Sequence, residues 1–165
     1  VGDGDSIEGT EFGLEVIHTP GHAPNHICFL LEEERVLFTG DVILNGTFSV
    51  VNPARGGDMA QYIASLEKLK KRRVARIAPG HGDVIDEPKP KIDEYLKHRR
   101  ARERQVLKVL KDGPLRVNDM VARIYSDTPP ELQEWAGRQV HAHLLKLKAE
   151  GKVEGGSVKS AWKLA

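Results

Sequence analysis

The sequence predicts an α+β protein built from two units, a layered arrangement of strands and helices followed by a small winged-helix-like domain. Between residues 12 and 78 the pattern runs strand, hairpin, helix, strand, and residues 112–165 run helix, helix, hairpin. The charge is divided in the same way. Residues 1–88 contain 8 Lys and Arg against 14 Asp and Glu, a net of −6, and residues 89–165 contain 17 against 10, a net of +7. This asymmetry indicates two units with different partners.

The first unit begins with strands and contains one predicted helix. Residues 12–18 alternate between apolar and polar side chains and are rich in β-forming residues, as in a half-buried strand. An acidic turn separates the next two strands, which form a hairpin, and Asp58 provides a cap for an amphipathic helix. The predicted strands after residues 12–18 are 27–31, 35–39 and 74–78, and the helix is 59–72.

The second unit follows a basic connecting helix. Pro88 and Pro90 interrupt the pattern, so we predict a boundary there and a long helix over residues 91–111. Asn118 is predicted to cap a short helix, a longer helix follows Pro130, and two short strands flank a Gly-Gly turn. The predicted division is 1–88, 89–111 for the connecting helix and 112–165 for the winged-helix-like domain.

The composition narrows the class of protein. The 165 residues are 39% hydrophobic, which is enough apolar material for a core. A single cysteine, Cys28, excludes an internal disulfide framework and suits a reducing compartment, so we predict a cytoplasmic protein. The longest apolar runs are far too short to span a bilayer.

Three short segments place a metal-binding side chain directly after a predicted strand. They are Thr19-Pro20-Gly21-His22, Thr39-Gly40-Asp41 and Pro79-Gly80-His81-Gly82. Two imidazoles and a carboxylate suit a metal such as zinc, and a carboxylate has two oxygens with which to bridge two ions. Each segment alone is typical of an ordinary turn. The ordered set of three indicates a metal site much more strongly.

In this order the segments resemble the metallo-β-lactamase fold superfamily, whose motifs have the forms T-P-G-H, T-G-D and P-G-H-G. The resemblance implies an αββα sandwich, of which residues 1–88 would be the C-terminal half. It also implies two zinc ions, with His22 on one, His81 on the other and Asp41 bridging both in a catalytic role. The implied reaction is attack of zinc-bound hydroxide on an ester, thioester or phosphodiester.

The basic helix and the domain after it narrow the resemblance. Residues 92–104 with their winged-helix-like follower resemble the β-lactamase-like protein 2 branch, which is related to an endoribonuclease. This resemblance implies single-stranded RNA as a candidate substrate. Nucleic-acid contacts are predicted for four arginines of the helix, with a solvated face balanced by acidic neighbours as the alternative. These are Arg99, Arg100, Arg102 and Arg104.

One motif of the superfamily has no counterpart here. H-x-H-x-D-H, which precedes T-P-G-H in the family, is absent, and His141-Ala142-His143 is the single H-x-H. In a helix, residues two apart point about 200° apart, so this pair is not expected to bind one ion. Because the chain also begins with Val1, we expect a C-terminal fragment of a longer enzyme, inactive in isolation. A missing N-terminal half or a second copy would supply ligands, and we expect a homo-oligomer.

Other residues near the predicted site have two interpretations. His26, Asn45 and Arg55 are candidates for supporting the metal ligands or contacting substrate, but strand-end and loop composition explains them as well. The function as a whole also has an alternative. In it the chain is a winged-helix module that binds nucleic acid or protein and retains a vestigial metal site.

Overall fold

The structure is a computed structural model that describes all 165 residues, and its first unit is built on a five-stranded sheet. The strands follow one another across the sheet in chain order. The first four are antiparallel, and the fifth returns parallel to the fourth after a helical crossover. They are β1 (Ser6–Glu8), β2 (Gly13–His18), β3 (Ile27–Leu31), β4 (Val36–Gly40) and β5 (Arg76–Pro79). The sequence predicted four of them and missed β1.

Two helices cover one face of this sheet. The crossover helix α1 (Met59–Lys70) begins at Asp58, whose carboxylate accepts a hydrogen bond of 2.9 Å from the main-chain N–H of Gln61. The second helix is α2 (Pro88–Val109). Apolar side chains of both helices pack on alternate residues of the strands to form the first core. Its fully buried members include Ile17, Cys28, Leu37, Tyr62, Leu66, Leu69, Ile77, Ile92 and Tyr95.

The prediction that Pro88 and Pro90 interrupt the chain before a helix is wrong, because both lie in the first turn of α2. Main-chain N–H groups of a first turn have no partner within the helix, so proline costs nothing there. The helix also does not merely connect the units. Ile92 and Tyr95 belong to the first core, and Val106 belongs to the second.

The second unit has the helix, helix, hairpin order of a winged helix. Its elements are α3 (Val117–Ile124), α4 (Gln133–Ala149) and the hairpin of β6 (Val153–Glu154) and β7 (Lys163–Leu164). The first turn of α3 follows Arg116 instead of the predicted Asn118, and the Asp119 carboxylate accepts a 3.2 Å hydrogen bond from the Arg116 N–H. A second core, centred on the fully buried Trp162, joins the hairpin to both helices.

The winged helix is docked on the first unit through α4. Ala142 of α4 belongs to the first core, and Lys146 of α4 forms an ion pair of 2.6 Å with Glu103 of α2. His143 is buried at the same contact. Burial, with Arg99 nearby, lowers the pKa of His143 to about 3, so this imidazole is neutral at physiological pH. The two units are therefore packed against each other through α2 and α4.

The sheet face opposite the helices is also apolar. Phe29 and Phe38 are directly paired across β3 and β4 on this face, and Phe38 is 42% exposed. A sheet that is apolar on both faces is typical of a sandwich whose second layer covers it. No helix of the structure is long and apolar enough to cross a membrane.

The exposed aromatic face leads to a prediction about self-association. We expect the protein to associate at micromolar concentrations, and Phe38→Ser to shift most of it to monomer, because exposed apolar patches drive association. Size-exclusion chromatography with light scattering measures both species. Val84→Ser is the matched control, since Val84 is also exposed but lies in the loop after β5. Equal association of the native protein and the Phe38 variant would contradict the prediction.

Candidate functional site

The three predicted metal-binding side chains converge at one edge of the sheet. Asp41 directly follows β4 and His81 follows β5, and these strands are parallel neighbours whose carboxyl ends meet at this edge. His22 reaches the same point from the turn after β2. Its Nε2 lies 3.8 Å from Asp41 Oδ2, and His81 Nε2 lies 3.5 Å from Asp41 Oδ1. Each carboxylate oxygen therefore faces a different imidazole.

Two glycines allow this close approach. Gly80 packs against the Thr39-Gly40-Asp41 turn, and a Cβ there would lie 3.0 Å from the Gly40 carbonyl and 3.2 Å from Asp41 Oδ1. Gly21 has a φ of 128°, and a Cβ there would lie 2.2 Å from the main-chain nitrogen of Tyr62. The glycines of the motifs thus bring the loops together, which is a structural reason for the Gly beside each ligand.

The hydrogen bonds of His22 determine its tautomer. Its Nδ1 lies 2.7 Å from the Val50 carbonyl oxygen, which can only accept, so Nδ1 carries the hydrogen. In the neutral ring, the lone pair of Nε2 then faces Asp41 Oδ2. Two lone-pair atoms that face each other favour a cation between them, and metal-binding histidines commonly donate their other N–H to a main-chain carbonyl. The donor set therefore fits a metal.

The geometry suits pairs of ligands better than a triad. No point in the structure is approached closely by three His, Cys, Asp or Glu side chains at once. The arrangement instead leaves room for one ion between His22 and Asp41 and another between Asp41 and His81. Each ion would have two protein ligands from this chain, fewer than the three or four usual for zinc.

The other predicted site residues differ in what the structure shows. His26 lies beside His22, with ring centroids 6.1 Å apart, and its Nδ1 lies 3.0 Å from the Thr19 hydroxyl. Burial is the main cause that lowers the pKa of His26. The Asn45 amide donates a 3.1 Å hydrogen bond to the Asp83 carbonyl, so it joins two loops instead of facing the site. Arg55 is exposed and lines a cavity next to His22.

That cavity links the metal-binding edge to the winged helix. It has a volume of about 390 Å³ and is lined by His22, Ala23, Val50, Asn52, Arg55 and Trp135. A second cavity of about 200 Å³ shares Val50 and Trp135 with it and extends past Arg102 and Tyr125. Neither is lined by an acidic side chain. We call the two together the interdomain groove.

Trp135 is a residue that sequence reasoning missed as functional. It lies in the first turn of α4, and its side chain is 44% exposed and lies in the groove. Arg138 lies over its ring, 4.4 Å from the centroid. Only an unusually large side chain at the start of the helix, next to polar residues, signals this role in the sequence.

The four arginines predicted to contact nucleic acid have different environments. The prediction for Arg99 is wrong, because its side chain is 2% exposed and points into the protein. Arg100 forms an ion pair of 2.7 Å with Glu67, and Arg104 is exposed. Arg102 lies 4.2 Å from the centroid of the Tyr125 ring in the interdomain groove. Of the three that are not buried, Arg102 is the one that lines the groove.

Comparisons with known proteins agree with this architecture. Residues 1–81 match the family model of the metallo-beta-lactamase superfamily, and residues 117–162 match that of the beta-lactamase associated winged helix domain. The chain is 39% identical over 155 residues to a beta-lactamase-like protein 2 homolog of Caenorhabditis elegans, covering 93% of this chain and 51% of the relative. It is 40% identical over 143 residues to the Drosophila melanogaster homolog, with 85% and 47% covered.

A solved structure shows the same fold over the whole chain. A metallo-beta-lactamase family protein of Thermus thermophilus superposes with a TM-score of 0.86 at 27% identity, covering 100% of this chain and 54% of that protein. The chain thus spans about half the length of the relatives it matches. The α+β class and the winged helix after the first unit are confirmed, as is the resemblance of the motifs.

Proposed function

Because the chain belongs to the metallo-β-lactamase superfamily through its first unit and has the associated winged helix after it, we propose that it acts as a metal-dependent hydrolase. One observation supports this most directly. The His22 Nε2 lone pair and the His81 Nε2 face opposite oxygens of Asp41, at 3.8 and 3.5 Å. This arrangement is explained by a cation on each side of the carboxylate.

The residues would divide the work as follows. His22 and Asp41 would hold one ion, Asp41 and His81 the other, and zinc is the favoured metal because of the two imidazoles. Such a pair of ions supplies Lewis-acid polarisation of the scissile group and lowers the pKa of water. The Val50 carbonyl keeps the His22 ring in its tautomer and orientation. Ligands from a second copy or from a preceding segment would complete each ion's coordination.

The proposed substrate is the phosphodiester backbone of a single-stranded nucleic acid such as RNA. The interdomain groove starts at His22 and contains the rings of Trp135 and Tyr125 together with Arg55 and Arg102. Flat aromatic rings stack on unpaired bases, and arginines contact phosphates, so this composition fits a single strand. The net charge of +7 over residues 89–165 favours the same polyanion. A small ester would use only the part of the groove beside His22.

A binding module with a vestigial metal site is the second candidate function. The observation in its favour is that each ion has only two ligands from this chain. In that case the groove would bind the strand without cleaving it. Both candidate functions predict that the groove binds a nucleic-acid strand. Only the hydrolase is expected to cleave it.

One experiment tests the proposal on a fluorescently labelled single-stranded RNA. When Zn²⁺ or Mn²⁺ is present and a preceding segment or a second copy completes the metal site, we expect cleavage that a chelator abolishes, and with the chelator we expect binding without cleavage. Trp135→Ala should weaken that binding about 5- to 10-fold, the lower end of the roughly 1–3 kcal/mol that one stacked base is worth. Arg102→Gln should weaken the binding and reduce its salt dependence, because it removes one phosphate contact. Fluorescence anisotropy at two salt concentrations measures the affinity and its salt dependence.

Lys97→Gln is the matched control for the charge. Lys97 is exposed on α2, about 140° around the helix from Arg102, and does not line the groove. Equal losses for Lys97→Gln and Arg102→Gln would show that only the overall charge matters. Binding without metal-dependent cleavage would favour the binding module, and no binding at all would exclude a nucleic-acid substrate.

A further inference from the structure

We propose that Arg99 of α2 and Gln139 of α4 are positioning residues for the metal ligand His22. They hold the main chain of residues 49–51, here called the 49–51 segment, so that the Val50 carbonyl meets the His22 ring. The docked winged helix would thereby set the orientation of a ligand in the first unit. The inference rests on the proposed function only in assigning a metal to His22.

The contacts form a continuous path between the two units. The Arg99 guanidinium donates through one terminal nitrogen to the Ser49 carbonyl and through the other, at 2.8 Å, to the Gln139 side-chain oxygen. The Gln139 amide nitrogen donates in turn to the Val51 carbonyl at 3.3 Å. The two side chains therefore bind the carbonyls on either side of Val50 and also bind each other.

The direction of the Val50 carbonyl follows from these hydrogen bonds to the carbonyls on either side of it. Ser49 and Val51 are buried and Val50 is half-buried, the alternation of an extended chain, in which successive carbonyls point to opposite sides. With the Ser49 and Val51 carbonyls held toward Arg99 and Gln139, the Val50 carbonyl must point away from them. It points to His22 Nδ1 at 2.7 Å, and the Ser49 hydroxyl lies 3.2 Å from the same nitrogen.

The burial of Arg99 supports a role beyond packing. Its side chain is 2% exposed, yet no carboxylate lies within ion-pair distance of it, and its Nε has no hydrogen-bond partner. Its other close contact is the Tyr62 ring, with the guanidinium carbon 5.0 Å from the centroid. A buried charge without an ion pair is costly, and an apolar side chain of similar size would pack at less cost. A guanidinium, with its two terminal nitrogens in fixed directions, is needed here only to donate to the Ser49 carbonyl and to the Gln139 side-chain oxygen at once.

The test uses Gln139→Glu, which keeps an acceptor for Arg99 but removes the donor to the Val51 carbonyl. Long-range ¹H–¹⁵N NMR of the histidine-labelled, metal-free protein at about pH 8 reports the His22 tautomer. We expect the native protein to show the hydrogen on Nδ1 and the variant to show a mixture. In a chelator competition, Zn²⁺ affinity should decrease about 10-fold, the usual effect of losing a partner behind a metal-binding histidine. Arg99→Lys should show a similar loss of Zn²⁺ affinity, since lysine has a single nitrogen and cannot hold both acceptors of Arg99 in the same geometry.

The matched control breaks a different contact between the same two helices. Glu103→Gln removes the ion pair of Glu103 with Lys146, which joins α2 to α4 without touching the 49–51 segment. We expect it to leave the tautomer and the Zn²⁺ affinity unchanged. The proposal is overturned if Gln139→Glu leaves both the His22 tautomer and the Zn²⁺ affinity native. It is also overturned if Glu103→Gln changes both to the same extent as Gln139→Glu. Should Arg99→Lys fail to fold, Gln139→Glu alone decides.

A different result would contradict the proposed hydrolase function. If His22→Ala does not change Zn²⁺ affinity, His22 is not a metal ligand and the hydrolase proposal loses its site. The tautomer measurement is made without metal, so it would still report whether Arg99 and Gln139 orient the His22 ring.

Discussion

Asp41→Asn is expected to lower Zn²⁺ affinity on the order of 100-fold and, in a protein whose metal site is completed by further ligands, to abolish hydrolysis of a phosphodiester. The expected loss lies at or above the top of the roughly 10- to 100-fold range typical of residues behind a ligand, because Asp41 faces both imidazoles. An amide has the size of a carboxylate but no negative charge, and its nitrogen cannot bind a cation. The substitution therefore removes one of the two oxygen ligands, leaves only a neutral amide oxygen for the other ion, and removes the negative charge that both ions share.

The measurement combines metal content with activity. Zn²⁺ bound after dialysis is determined by elemental analysis, and hydrolysis is followed with bis(p-nitrophenyl) phosphate as the probe. Asp83→Asn is the matched control, since Asp83 is exposed in the loop after β5 and does not face the two histidines. Native metal content in the Asp41 variant would show that the three motif residues do not hold the metal.

Trp162→Ala is expected to destabilise the protein by about 3–5 kcal/mol, the usual cost of removing a large buried aromatic side chain. Trp162 is fully buried in the second core, and its indole N–H donates a 2.9 Å hydrogen bond to the Ser157 carbonyl. Gly155 packs against the ring so closely that a Cβ there would lie 2.2 Å from a ring atom. The hairpin therefore depends on this side chain for its attachment to the helices.

Urea unfolding measures this effect. Circular dichroism follows the helices, and Trp135, the one remaining tryptophan of the variant, reports fluorescence at the interdomain groove. Because α4 joins both cores, we expect the two signals to change together. Val158→Ala, at an exposed position of the same hairpin, should change the unfolding free energy by less than about 0.5 kcal/mol. A loss below about 1 kcal/mol for Trp162→Ala would contradict the assignment of this core.

Local patterns were sufficient to predict most elements of the fold. Alternation over β2, the short apolar run of β3 and the Asp58 cap of α1 each depend on neighbours within a few residues, and each is confirmed within about two residues. The short β1 has only three residues, all of them exposed and only one of them apolar, so the local signal was too short to indicate a strand. The two prolines of α2 were predicted to lie before the helix because a proline in a first turn and a proline in the preceding loop are locally alike.

The residues of the candidate site also divide into those that local sequence predicts and those that it does not. His22, Asp41 and His81 could be found from sequence because each lies in a Gly-containing turn directly after a strand. Trp135 and the Val50 carbonyl could not, because their role depends on where α4 docks. Arg99 was predicted to contact nucleic acid because it lies among the charged residues of the basic helix, whereas the helix turns it about 100° from Arg100 and toward the interior.

The sequence by itself determined the strands and helices, the winged helix and the three residues predicted to bind metal, since these follow from side-chain periodicity and turn chemistry. Only the tertiary structure decided which arginine is buried, which tryptophan lines the groove and which carbonyl orients His22. Those contacts join residues 50 and 88 positions apart in the chain, as for Arg99 with Ser49 and Gln139 with Val51. Such pairs are brought together by packing of the two cores, and no local pattern encodes them.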